Sequence, residues 1–188
     1  MRAFDGQPGN TPENENFRAA RRRMLLALAA APLVALPGWA FAEPLAGLQR
    51  WGSGEFRRFG VLVSEATLWA ADDPLRPPLA LRLTYRRNIA GQAIAEASVK
   101  EIRALGLADE ATLQRWGERM ARLFPDVKPG DAITGHYSAS AASFSLNQRT
   151  LGTVDDPAFA KAFFAIWLDP RTSAPELRAA LLRRGGAS

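Results

Sequence analysis

The hydrophobic period changes repeatedly along this chain, and the order of those changes constrains the fold more than any single motif. From Phe59 the residues alternate, with Phe59, Val61, Val63, Thr67 and Trp69 on one side and Leu62, Ser64, Ala66 and Leu68 on the other. That pattern predicts a strand with two semi-apolar faces, covered on both sides. Turn signals at Asp72-Asp73-Pro74 and Pro77-Pro78 lead to a cleaner strand, in which Leu79, Leu81, Leu83 and Tyr85 oppose Ala80, Arg82, Thr84 and Arg86. One face packs and the other meets water. Gly91 to Leu105 then takes helical spacing through Ile94, Ser98, Ile102 and Leu105, stopping at Gly106, a suitable residue just past a helix end. Asp109 caps a second helix with the stripe Leu113, Trp116, Met120, Leu123 and Phe124.

Lys128-Pro129-Gly130 has the order of a type II turn, with Pro at the second position and Gly at the third. Three short strands follow over Ala132 to Tyr137, Ser143 to Leu146 and Thr150 to Val154. Asp156-Pro157 reads as an N-cap followed by Pro in the first helical position, with Phe159, Phe163, Ile166 and Trp167 facing inward. Ser173-Ala174-Pro175-Glu176 reads as a capping box that opens a last helix, to about Arg184. The resulting order ββααβββαα is not the strict alternation of a parallel α/β sheet. It predicts an α+β fold, an antiparallel sheet with helices layered on one face.

Residues 1–42 are expected to leave this domain. Met1 to Ala20 is rich in Gly, Pro, Asn and Glu without apolar periodicity; Arg21, Arg22 and Arg23 precede an Ala/Leu-rich run from Met24 to Leu36, a Pro37-Gly38 break and the triplet Ala40-Phe41-Ala42. Charged, apolar and small-x-small is the order of an export signal cleaved near Ala42. The adjacent arginines behind a long polar leader resemble the twin-arginine signal that exports folded proteins, the general secretory route and an uncleaved anchor over Met24 to Ala42 being the alternatives. The expected working protein is a periplasmic domain over residues 43–188, without an internal repeat or linker.

The chain holds 24 Lys and Arg against 19 Asp and Glu, a net charge of +5. Five of those basic and three of those acidic residues lie in residues 1–42, leaving about +3 on the domain. A periplasmic domain of that charge is not expected to meet nucleic acid, and at most weak contact with anionic lipid headgroups is expected. With no cysteine and one histidine, thiolate and multi-histidine metal chemistry have no ligands, so neither metal nor cofactor is expected.

Four segments resemble the chalcone isomerase-like family, in its bacterial exported branch: Gly52 to Ala70, Leu79 to Glu96, Leu123 to Tyr137 and Asp155 to Leu182. The resemblance implies an open-faced β-sandwich, a long antiparallel sheet with a helical layer and a ligand cleft between them. In the plant enzymes of the family a substrate phenolate adds to an enone within one molecule, and an arginine near the start of the long strand stabilises the developing charge, as a cation does for an oxyanion-like transition state. The fatty-acid branch also uses an arginine in the cleft. The matching stretch here, Trp51-Gly52-Ser53-Gly54-Glu55, has none, and Arg57 or Arg58 enters the cleft only with a register shift. The strand hydroxyl falls on Ser64; the tyrosine and amide of the following helix fall on Ile94 and Glu101; the hydroxyl before the final helix falls on Thr172 or Ser173. The resemblance therefore implies a noncatalytic binder of a small apolar or amphipathic ligand, a fatty acid or an aromatic compound. An isomerase of the intramolecular lyase type and an envelope interaction protein without ligand are the alternatives.

Ser64, Thr172 and Ser173 are the candidate ligand-binding residues. Each also has a structural reading: Ser64 as a hydroxyl bonded to nearby backbone, Ser173 as a helix cap. His136 reads as a surface histidine rather than a haem ligand. Arg82, Thr84 and Arg86 read as the solvated face of a strand rather than a carboxylate grip. Gly52-Ser53-Gly54 reads as a turn. Trp116, Phe159, Phe163, Ile166 and Trp167 read as core, with some of them lining the cleft.

Overall fold

The computed structural model describes residues 47–184, so the export-signal reading of residues 1–42 lies outside the described residues. Six strands run in sequence order across one antiparallel sheet: β1 (Gln49–Arg58), β2 (Val61–Ala70), β3 (Leu79–Tyr85), β4 (Ala132–Tyr137), β5 (Ala142–Leu146) and β6 (Arg149–Val154). Two helices, α1 (Gly91–Leu105) and α2 (Glu110–Leu123), connect β3 to β4, and α3 (Pro157–Leu168) and α4 (Pro175–Leu182) follow the last strand. The expected α+β fold, an open antiparallel sheet with its helical layer on one face, is what the chain forms. No helix among the described residues is long and apolar enough to cross a membrane.

The elements form where local chemistry directs them. Gly106 ends α1 in the left-handed conformation at φ 68°, and the Asp109 carboxylate accepts the Thr112 amide at 2.7 Å to start α2. At Lys128-Pro129-Gly130, Gly130 has φ 93° and the Asp131 amide donates to the Lys128 carbonyl at 3.0 Å, closing the expected type II turn. Asp156 caps α3 by accepting from the Ala158 and Phe159 amides at 2.9 and 3.1 Å, and its other oxygen takes the Trp116 indole N–H at 2.9 Å. Partial burial works to raise the Asp156 pKa, yet these three donors outweigh it and hold the carboxyl below the usual range. One carboxylate thus starts α3 and ties it to α2.

Three expectations need correction. The strand read from Phe59 is β2 and starts only at Val61: Phe59 (φ 50°) and Gly60 (φ 76°) form the tight turn of a hairpin whose first strand, β1, is not among the expected elements. Gly52-Ser53-Gly54 is not a turn but the middle of β1. A methyl built on Gly52 would overlap the Ala180 and Leu181 carbonyl oxygens of α4, and one on Gly54 would lie 2.8 Å from the Ala180 side chain, so the glycines let a helix rest directly on strand backbone. Ser173 is not a cap: Ala174 occupies the N-cap position of α4 without a side-chain bond, and the helix ends at Leu182. Trp51 then secures the end of α4, donating from its indole N–H to the Leu182 carbonyl at 3.1 Å while the Arg184 guanidinium lies over its ring.

The core lies between sheet and helices. Phe144 of β5 sits among Phe124, Phe159 and Phe163, edge-on to each, with ring centroids 5.2, 6.4 and 4.9 Å away. Gly135 opposite Phe144 leaves room for the Phe144 and Phe164 rings, both 3.2 Å from where a Cβ would stand. The other sheet face carries Trp69, Arg82, Thr134 and His136. Arg82 donates to the Thr134 hydroxyl at 3.2 Å and stacks 5.0 Å over the Trp69 ring, and Arg86 pairs with Glu65 at 2.6 Å. These arginines are committed to the sheet face rather than to a joint carboxylate grip. His136 is half-buried there rather than a surface residue.

Candidate functional site

A cavity of about 120 Å³ opens between the β1–β3 part of the sheet and helices α1 and α3. Its wall is almost entirely carbon: Phe56, Leu83, Ile94, Ile133, Phe163 and Ile166 are among the lining residues. Two of the aromatic side chains read as core from spacing, Phe163 and Trp167, line it, as does Ile166; Trp116 and Phe159 do not. Trp167 meets Phe56 edge-on at 5.1 Å, closing the wall between α3 and β1.

The sheet side of the cavity is built by a local irregularity. Phe56 pairs with Ser64, but the next pair along β1 is Arg57 with Leu62, so Val63 has no partner on β1 and β2 is bulged there. A bulge places two neighbouring side chains on one face of a strand that otherwise alternates. Val63 and Ser64 both reach the cavity as a result. Arg58 lies on the same face of β1 as Phe56, two residues on, and lines the cavity, whereas Arg57 points to the exposed side and pairs with Glu55 at 2.7 Å. The stretch Trp51 to Glu55 supplies no cation, and Arg58, further along the same strand, is the arginine among the lining residues.

Ser64 stands between Phe56 on one neighbouring strand and Tyr85 on the other, and all three line the cavity. Ser64 is 1% and Tyr85 4% exposed. Among the described residues neither hydroxyl has a hydrogen-bond partner, and the buried Trp167 indole N–H has no acceptor. Burial pushes the Tyr85 phenol well above its ordinary pKa, so it stays a protonated donor. Ser98, in contrast, spends its hydroxyl on the Ile94 carbonyl at 2.8 Å. Glu101 is the acidic group of the wall and sits on α1. The sheet side therefore offers donors and one cation, and the helix side a carboxylate.

The other two candidate hydroxyls fare differently. Ser173 lines the cavity at an exposed position. Thr172 does not line it: the buried hydroxyl donates to the Ile166 carbonyl at 2.6 Å and accepts from the Ala174 amide at 3.2 Å, stapling the α3–α4 connection. Sequence reasoning missed Tyr85 as a site residue because its place in the Leu79–Tyr85 alternation marked it only as core. Among the described residues no group of acidic or histidine side chains is arranged to hold a metal ion.

A family profile described as chalcone isomerase-like matches residues 64–183, well over half of the chain. The protein belongs to the chalcone isomerase-like family. Among solved structures it is similar to AtFAP1, a fatty-acid binding protein of Arabidopsis thaliana, with a TM-score of 0.56 and 12% identity over 72% of this chain and 87% of that one. At that identity the likeness concerns the fold. A search of curated proteins finds no sequence match.

Proposed function

We propose that this protein is a noncatalytic binder of one small, largely apolar ligand whose acceptor end meets the sheet side of the cavity. The observation that carries this reading is the set of buried donors without protein acceptors in an otherwise carbon-lined space. The Ser64 and Tyr85 hydroxyls line the cavity without a protein partner among the described residues, and a ligand oxygen there gains a hydrogen bond worth about 0.5–1.5 kcal/mol net. Arg58 favours an anionic oxygen there, and Glu101 on the α1 wall disfavours the reverse orientation. AtFAP1, a fatty-acid binder of the same fold, supports a ligand of this type.

Size narrows the ligand. An apolar cavity of roughly 150 Å³ takes a benzene-sized guest, so about 120 Å³ suits a single ring or a short acyl segment, with longer tails leaving through the mouth. A two-ring enone exceeds this space, and Ile94 and Glu101 replace the tyrosine and amide expected in the enzymes. Both points weigh against a chalcone substrate. Methyl NMR tests the reading: benzoate or hexanoate should shift the lining Ile94, Ile133 and Ile166 signals and leave the core Leu113 unmoved. Unmoved isoleucines, or conversion of chalcone to a cyclised product, would contradict it.

The binding domain is proposed to work in the periplasm after loss of residues 1–42. The supporting pattern is the arginine triplet, apolar run and Ala40-Phe41-Ala42 triplet. N-terminal sequencing of protein recovered from a periplasmic extract should begin at Glu43. Recovery only of a chain starting at Met1, in the cytoplasmic fraction, argues the opposite.

A further inference from the structure

The β1–β2 hairpin ends in an aromatic residue where chemistry favours almost anything else. A two-residue turn with positive φ at both positions is ordinarily built from Asn, Asp or Gly, and a bulky residue at positive φ is a conformational outlier. Here Phe59 holds φ 50° and is 94% exposed, with Val61 beside it 43% exposed. A single exposed apolar side chain is unremarkable in itself. This one also occupies the projecting tip of a hairpin at a conformational cost, at an end of the sheet where four arginines gather.

Arg57 and Arg58 precede the tip, and Arg86 and Arg87 lie at the same end of the sheet, since the Arg86 amide donates to the Val63 carbonyl. Glu55 pairs with Arg57 and Glu65 with Arg86, leaving Arg58 and Arg87 without an ion pair among the described residues. The Arg58 guanidinium lies 5.6 Å from the Phe59 ring centroid and also lines the cavity. An aromatic wedge at a sheet end with excess positive charge complements one kind of surface, an anionic bilayer, in which the ring enters the interface and guanidinium groups meet lipid phosphates.

We propose that this hairpin tip is a membrane-docking element, with Phe59 inserted into the interface of an anionic leaflet and the exposed Arg57 and Arg87 facing its phosphates, while Arg58 stays on the cavity side. Docked in this way, the protein presents the mouth of the cavity beside the lipid. The inference rests on the hairpin and stands whether or not the cavity holds a ligand.

The chain contains no cysteine, so one can be placed and labelled uniquely. Full-length Phe59→Cys and Leu75→Cys variants would each carry a nitrobenzoxadiazole fluorophore. Leu75 is the control: it is 50% exposed in the β2–β3 connection, at the other end of a ten-residue strand and about 30 Å away. With vesicles of phosphatidylcholine and phosphatidylglycerol, the label at 59 should shift to the blue and brighten while that at 75 stays unchanged. The shift should vanish on pure phosphatidylcholine, or at about 1 M salt, where charges are screened beyond about 3 Å. A label at 59 that stays in water while the chain is vesicle-bound would overturn the proposal and leave a protein partner as the tip's occupant. Equal responses at 59 and 75, or equal responses on neutral and anionic vesicles, would overturn it as well.

Discussion

Gly52→Val should lower the melting temperature by about 10–20 °C, a large loss of stability for an exchange of so few atoms. The cause is contact, not backbone freedom, because Gly52 has ordinary strand geometry. Its missing side chain is the space in which the Ala180 and Leu181 carbonyls of α4 rest on β1. A valine there must lift α4, and lifting α4 exposes Leu177 and Leu181, now 3% and 0% exposed. At about 1.5–3 kcal/mol for each buried leucine, the loss is about 3–6 kcal/mol, a large part of the roughly 5–15 kcal/mol that holds a typical domain together. Ser53→Val on the exposed side of the same strand is the control, because β-branched residues suit strands. It should melt within a few degrees of the parent. If Gly52→Val melts like Ser53→Val, α4 is not seated on β1 as described.

Gly52 also shows why part of the fold was hard to read from sequence. Hydrophobic alternation reports a strand only where side chains supply the signal, and β1 has glycine at two of its inward positions. Gly-Ser-Gly therefore looks like a turn, while the true turn holds a phenylalanine at its first position. Elsewhere the signals were strong and local: Asp109 and Asp156 as caps, Gly106 as a helix stop, Pro129-Gly130 as a turn, and the leucines of β3 as an inward face. Each depends on backbone chemistry within a few residues, and each is found where expected. Ser173 failed as a cap because the Thr172 hydroxyl, bonded to the Ile166 carbonyl and the Ala174 amide, fixes the connection and starts α4 one residue later than a cap at Ser173 requires.

The site was half legible for a related reason. Ser64 stood out as a hydroxyl on an apolar face, and it is a cavity residue. Arg58 could not be placed, because β1 itself was not read as a strand, and only alternation along β1 from Phe56 sets Arg58 on the cavity face. Tyr85 was hidden by its own apolarity. Only the three-strand row of Phe56, Ser64 and Tyr85 makes its hydroxyl part of a site.

Arg58 is consequently the residue on which binding should depend most. A hydrogen bond to a charged partner contributes about 1.5–3 kcal/mol, so Arg58→Gln should weaken an anionic ligand by about ten- to a hundredfold. A neutral ligand of the same shape should lose little. Arg58→Lys should fall between the two, keeping the charge but not the planar fork that grips two oxygens. Arg57→Gln, on the exposed side of β1, should behave as the parent. The central claim, that an arginine and buried hydroxyls in a one-ring cavity hold the acceptor end of a small apolar ligand, is tested most directly by calorimetric titration of benzoate and benzyl alcohol into the parent and Arg58→Gln proteins. The expected result is saturable binding of one molecule per chain, with benzoate alone weakened by the substitution. No saturable binding of either compound, or benzoate binding that Arg58→Gln leaves unchanged, would contradict the account.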